Sequence, residues 1–247
     1  MSAPQTKGRS LLVDVSRGVA VILMVLYHFC FDLNYFGLIH QNFNYNPFWL
    51  TFRALIVTCF LTLVGISLVL ATNKNQRHFW IRIGKLSAAS LAVTAGSYLI
   101  FPQSFIFFGI LHFIVVASLI ALLFLRFSWL NLVLGGAFIL FGILFSNPWF
   151  DQPWLQWIGL MTYKPVTEDY VPLFPWLGVV FIGLFLGKFL FQDRLKGTLP
   201  VLKLKKKDLT PATQWVTGPA WLGQHSLAIY LLHQPLLMGI LYLLFSH

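Results

Sequence analysis

From Leu11 onward the chain alternates long apolar runs with short polar breaks, and almost no run shows the every-other-residue alternation of a half-buried strand. A helix needs about 20 mostly apolar residues to cross a hydrocarbon core about 30 Å thick. Seven stretches meet that condition, at about 11–33, 48–72, 81–101, 106–125, 129–146, 173–191 and 221–245. The fifth is softened by Gly135, Gly136 and Gly142. The first is not expected to be a cleaved signal peptide: it is long, it carries Asp14 and Arg17, and no small-residue cleavage site follows. No internal repeat stands out. The pattern predicts an all-α integral membrane protein of about seven transmembrane helices, in one domain over residues 1–247.

Composition agrees. Hydrophobic residues make up 58% of the 247 and charged residues 10%, with a mean hydropathy of +0.77. A soluble domain carries roughly 25% charged residues, so this chain cannot cover a globule of its size with polar groups. Its hydrophobicity also excludes disorder. The net charge of +10 suggests nucleic acid until the charges are placed. With a cytoplasmic N-terminus, every Lys and Arg except Lys164 and Arg53 falls on the cytoplasmic side, and the C-terminus lies outside. Such asymmetry sets orientation in a membrane, so the surplus charge reflects topology, and nucleic acid is not an expected partner. The Lys203–Lys207 run reads as a contact with anionic lipid. Cys30 and Cys59 sit in apolar runs and have no disulfide or metal spacing. The outer segment from about 147 to 172 is acidic and aromatic, with Trp149, Asp151, Trp154, Trp157, Glu168 and Asp169. It suits a sugar-like or amine acceptor, and equally an interfacial aromatic belt.

Ionisable residues inside spans are costly and by default mark a site. On the first predicted helix Arg17 and His28 share a face, about 17 Å apart along the axis. Asp14 lies one turn below Arg17 and Asp32 one turn above His28. An Asp at that spacing can accept from a ring nitrogen of His28 and orient it as a general base. Arg53 enters the second span at a depth that could pair with Asp32, and His112 lies in the fourth span. His40 sits in the first outer loop, and Tyr230 and His233 share a face of the last helix. His28, Asp32, His40, Arg53 and His112 are thus the candidates for chemistry. Arg17, Arg82, Lys85 and Arg126 offer cations for a phosphate-bearing donor on the inner side, and Asp14, Tyr230 and His233 are grouped with them.

Three segments carry a family resemblance: VDVSRGVAVILMVLYHF (Val13–Phe29), FFGILHF (Phe107–Phe113) and WLGQHSLAIYLLHQPLL (Trp221–Leu237). Together they resemble the heparan-alpha-glucosaminide N-acetyltransferase catalytic-domain family, including its small bacterial members. More distantly they are similar to the acyltransferase-3 superfamily. The resemblance implies a transmembrane acyltransferase of a bacterial inner membrane. It would use cytosolic acyl-CoA, typically acetyl-CoA, as co-substrate, with no metal, and an extracytoplasmic sugar hydroxyl or amine as acceptor. It also implies that a histidine serves as general base or acyl carrier. The heparan enzymes have an amide at the position of His28, and their catalytic histidine falls nearest His40. They also read Gln-Arg where this chain has His112 and Phe113. The acyltransferase-3 relatives place the key histidine on the first helix, like His28. Both histidines therefore stand as candidates, and the oligomeric state is left open. The competing class is a proton- or ion-coupled transporter, whose usual paired repeats are not visible here.

Overall fold

The computed structural model describes residues 10–72, 76–193 and 211–245. The Lys203–Lys207 run lies outside them, as do Lys7, Arg9, Lys74 and His247. All regular structure among the described residues is helical. The helices are α1 (Leu11–Tyr35), α2 (Pro47–Thr72), α3 (Gln76–Ile100), α4 (Ile110–Phe124), α5 (Trp129–Leu144), α6 (Leu173–Lys188), α7 (Thr217–Gln224) and α8 (Ser226–Phe245). A π-helical turn, Phe189–Asp193, extends α6.

Five helical segments are long and apolar enough to cross a membrane: α1, α2, α3, α6 with its extension, and α8. Large apolar side chains such as Leu91, Leu99, Leu123, Val133, Ile143 and Leu243 stand exposed on the helices. Apolar side chains exposed along the helices are what contact with lipid requires. The protein is an all-α integral membrane protein.

Two expectations change. The fourth and fifth stretches form helices of only 15 and 16 residues, about 24 Å at most and short of the hydrocarbon thickness. The last predicted span is interrupted at His225. Its N–H is shared between the carbonyls of Trp221 (3.2 Å) and Leu222 (3.1 Å), a tightened final turn that ends α7 before α8 begins.

The chain divides into two compact units, Met1–Phe60 with Lys196–His247 and Leu61–Leu195. In the first, the buried residues of α1 (Val13, Asp14, Gly18, Val21, Met24, Tyr27 and Asp32 among them) recur at helical spacing and form one stripe. Its lower part meets α7. Gly18 faces the Pro219 backbone and Gly223 faces the Asp14 backbone, so the two helices run antiparallel in main-chain contact. Higher up, Met24 and Tyr27 form a core with Phe43 and Ile56, edged by Trp49, Phe52 and Tyr230.

The second unit is centred on Phe113, Phe181, Leu61, Leu68 and Leu184, all essentially inaccessible. Its helices also meet through glycine. Gly135 lies against the Gly178 carbonyl, and Gly142 against Pro175. The glycines that soften the fifth stretch on paper are thus the contact by which α5 packs on α6, as small residues do between membrane helices.

Candidate active site

The first unit gathers most of the unusual polar residues along α1. At its lower end Arg17 lies 3.4 Å from Asp14 and donates to the Gly223 carbonyl at 3.5 Å. Gln224 donates to the other Asp14 oxygen at 3.1 Å. The pair is asymmetric: the Asp14 side chain is 5% exposed and that of Arg17 20%. The carboxylate is buried by helix packing, while the guanidinium is the more exposed of the two.

About two and a half turns above Gly18, Tyr27 makes T-shaped ring contacts with Phe43, Trp49 and Phe52. The half-buried Arg53 of α2 donates to its hydroxyl. Arg53 is therefore held by Tyr27 and forms no ion pair with Asp32, the partner expected from the sequence.

The next level holds the histidines. The His28 and His233 rings sit 5.0 Å apart at 64°, bringing α1 and α8 together. His233 Nδ1 lies 2.8 Å from the Tyr230 carbonyl. A carbonyl only accepts, so Nδ1 carries the hydrogen and the lone pair of the neutral ring is on Nε2. One turn on, Asp32 is wholly buried, and its Oδ1 accepts from Gln234 Nε2 at 2.6 Å. Among the described residues no hydrogen bond joins His28 to Asp32. The i,i+4 spacing allowed one, but Gln234 takes the carboxylate and the His233 ring packs against that of His28. His40 is exposed in the loop after α1.

The remaining candidates belong to the second unit. His112 is half-buried at the start of α4, and both its ring nitrogens are engaged. Nδ1 accepts from Gly109 N–H at 3.3 Å. Thr94 gives its hydroxyl hydrogen to the Ile106 carbonyl at 2.7 Å, so its oxygen accepts from His112 Nε2 at 3.1 Å. His112 thus caps its own helix. Arg82 and Lys85 lie on α3, half-buried and exposed respectively. Arg126 is exposed at the α4–α5 turn, its guanidinium 4.5 Å from the centre of the Phe127 ring.

The acidic, aromatic loop of this unit uses its carboxylates internally. Asp151 accepts from Thr162 N–H (2.7 Å) and hydroxyl (2.8 Å), Glu168 from Ser104 (2.5 Å), and Asp169 from the Ile110 N–H (2.9 Å). Tyr170 donates to the Gln156 carbonyl at 2.6 Å, and burial raises its phenol above the ordinary range. Beside these contacts lies a cavity of about 360 Å³ lined by Phe105, Phe107, Gln156 and Tyr163.

Sequence reasoning missed Gln224 and Gln234, the partners of the two buried carboxylates. The signal was present, since they are the only side-chain amides in α7 and α8. An amide in an apolar helix is the same kind of anomaly as a charge.

The family pattern described as heparan-alpha-glucosaminide N-acetyltransferase, catalytic, matches residues 9–235. No curated protein and no solved structure matches the chain.

Proposed function

Since the chain belongs to the heparan-alpha-glucosaminide N-acetyltransferase catalytic family, we propose that it moves an acetyl group from cytosolic acetyl-CoA to an amine or hydroxyl of a sugar-like acceptor on the far side of the membrane. Acetyltransferase activity follows from the family. The donor, the acceptor and the residue roles are our reading.

The observation that carries this reading is the placement of paired imidazoles, His28 and His233, beside a buried carboxylate on the polar stripe of α1, which ends below in the half-buried Arg17. Arg17, backed by Asp14 and Gln224, would hold the donor's phosphates, and acetyl-CoA supplies an acyl group activated as a thioester. His28 takes the proton from the acceptor, with His233 against its face. His233 is itself oriented by the Tyr230 carbonyl, as a base in such a site requires. Arg53, fixed by Tyr27, contributes positive charge where oxyanion character develops. His40 is the alternative base.

The test is transfer of labelled acetyl from acetyl-CoA to a panel of amino and neutral sugars by the purified protein in lipid nanodiscs. Time-dependent labelling of an acceptor is expected. Labelling no faster than in empty nanodiscs, across the whole panel, would overturn the reading.

A further inference from the structure

Two cations of the second unit meet at one turn. Lys188, in the last turn of α6, donates from Nζ to the main-chain carbonyl of Arg126 at 2.8 Å. The Arg126 guanidinium lies 4.5 Å from the centre of the Phe127 ring. Among the described side chains no carboxylate forms an ion pair with either cation. Like charges held at one turn repel, and an anion between them turns that repulsion into attraction.

Both cations keep donors for such an anion. The ammonium has three hydrogens, and the carbonyl takes one. A cation–π contact draws on the charge of the guanidinium and not on its fork of N–H groups. A fork beside a point charge is the combination that phosphate oxygens accept from.

The surroundings choose among phosphates. Trp129, one turn after Arg126, packs on Phe185 with ring centres 5.1 Å apart and is otherwise exposed. From it Val133, Leu140 and Leu144 continue an exposed apolar line along α5 at helical spacing. A free phosphate has no use for that line. A phospholipid does, because its acyl chains run on from its phosphate. Trp beside Lys and Arg at the end of an apolar helix also marks headgroup depth, and basic sites between membrane helices hold anionic headgroups.

We propose that Arg126 and Lys188 bind the phosphate of an anionic phospholipid whose acyl chains lie along Trp129 and the exposed face of α5. Arg126 then serves lipid and not the acyl donor, the partner its charge suggested in the sequence. The site is independent of the acetyl-transfer reading and stands or falls without it.

Native mass spectrometry of the full-length protein in detergent tests this directly. Phosphatidylglycerol and phosphatidylcholine with the same acyl chains are titrated onto the wild type, Arg126→Gln and the double variant Arg126→Gln/Lys188→Gln. Two controls are the charge-keeping Arg126→Lys/Lys188→Arg and Lys85→Gln, which removes an exposed cation from α3. Lys188 bonds the Arg126 main chain, so Arg126→Gln leaves that contact in place. At the usual attraction of one basic residue for anionic lipid, Arg126→Gln should weaken the tightest phosphatidylglycerol about fivefold and the double variant about 30-fold. Phosphatidylcholine binding and both controls should change little. A wild type that binds the two lipids equally overturns the proposal, and that comparison needs no variant to fold. So does a double variant that keeps wild-type affinity, or a loss in Lys85→Gln as large as in Arg126→Gln. Displacement of the bound lipid by acetyl-CoA or inorganic phosphate also overturns it, and gives the two cations to a soluble phosphate.

Discussion

His233 and His112 take their character from the groups their ring nitrogens meet. A carbonyl at Nδ1 leaves His233 a base at Nε2, whereas an N–H on one side and a hydroxyl on the other leave His112 with no lone pair to spare. His28, against the His233 ring, is in the buried cluster, and His40 is exposed. His28→Ala is therefore expected to lower kcat by about 10²–10⁴-fold, the usual share of a general base. His40→Ala should stay near wild type, both measured at saturating acetyl-CoA with helicity checked by circular dichroism. The reverse ranking would move the base to the loop. For His112 the relevant partner is Thr94. Thr94→Val removes a donor to Ile106 and an acceptor from His112, and should cost about 0.5–1.5 kcal/mol per bond in thermal unfolding. None of this could be read from the sequence alone. Thr94 is 18 residues from His112, and Gln234 is 202 from Asp32. Helical periodicity finds which residues share a face and is silent about which neighbouring helix claims them.

Individual helices were more legible. The run beginning at Leu11 became α1 because its apolar positions recur at helical spacing, and Asp14 lies on its buried stripe with Arg17 one turn on and less buried. What could not be read was close approach. Gly18 and Gly223 look like ordinary glycines in apolar segments until α7 is laid against α1, where any Cβ would meet the opposing backbone. Gly223→Ala should therefore force the helices apart and cost about 1–3 kcal/mol, as overpacking does. It should also loosen Arg17 from the Gly223 carbonyl and so weaken the stabilisation conferred by acetyl-CoA, whereas Gly84→Ala, in open space, should leave that stabilisation intact. The loop between α5 and α6 makes a pH prediction. Burial raises the Tyr170 phenol, so the folded loop keeps its proton where the unfolded chain loses it. The stabilisation is complete below the ordinary tyrosine pKa of about 10 and is lost as pH climbs beyond it. Limited proteolysis between residues 147 and 172 should accelerate above that pH in the wild type. In Tyr170→Phe, which lacks the bond to Gln156, cleavage should start faster and gain no further alkaline step from this residue.

For the molecule as a whole, the class could be read from composition because lipid imposes so few solutions: a chain with 10% charged residues and long apolar runs must satisfy its backbone in helices. Orientation is a separate matter, carried by the placement of Lys and Arg. All of them except Lys164 and Arg53 fall in segments that lie on one side if the first helix starts inside. Joined to the proposed chemistry, that orientation would make the reaction vectorial. The donor's phosphates would meet the cationic side, while the acceptor would approach the histidines from the other. Proteoliposomes can separate the two, since acetyl-CoA is too polar to cross a sealed bilayer. With amine acceptor trapped in the lumen and labelled acetyl-CoA added outside, only molecules whose Lys- and Arg-rich face points outward should deliver label to the interior. Labelling of Arg126→Cys, exposed at the α4–α5 turn, by a membrane-impermeant thiol reagent reports the fraction so oriented. Product should scale with that fraction and vanish when the acceptor is moved to the donor's side. A proton- or ion-coupled transporter, the other use of a His, Asp and Arg path through a membrane, would move the unmodified acceptor across in response to a gradient and leave the label on coenzyme A. Acceptor uptake without acetylation would thus replace the enzyme reading with the transport one, because the same polar stripe on α1 serves either function and only the fate of the acyl group distinguishes them.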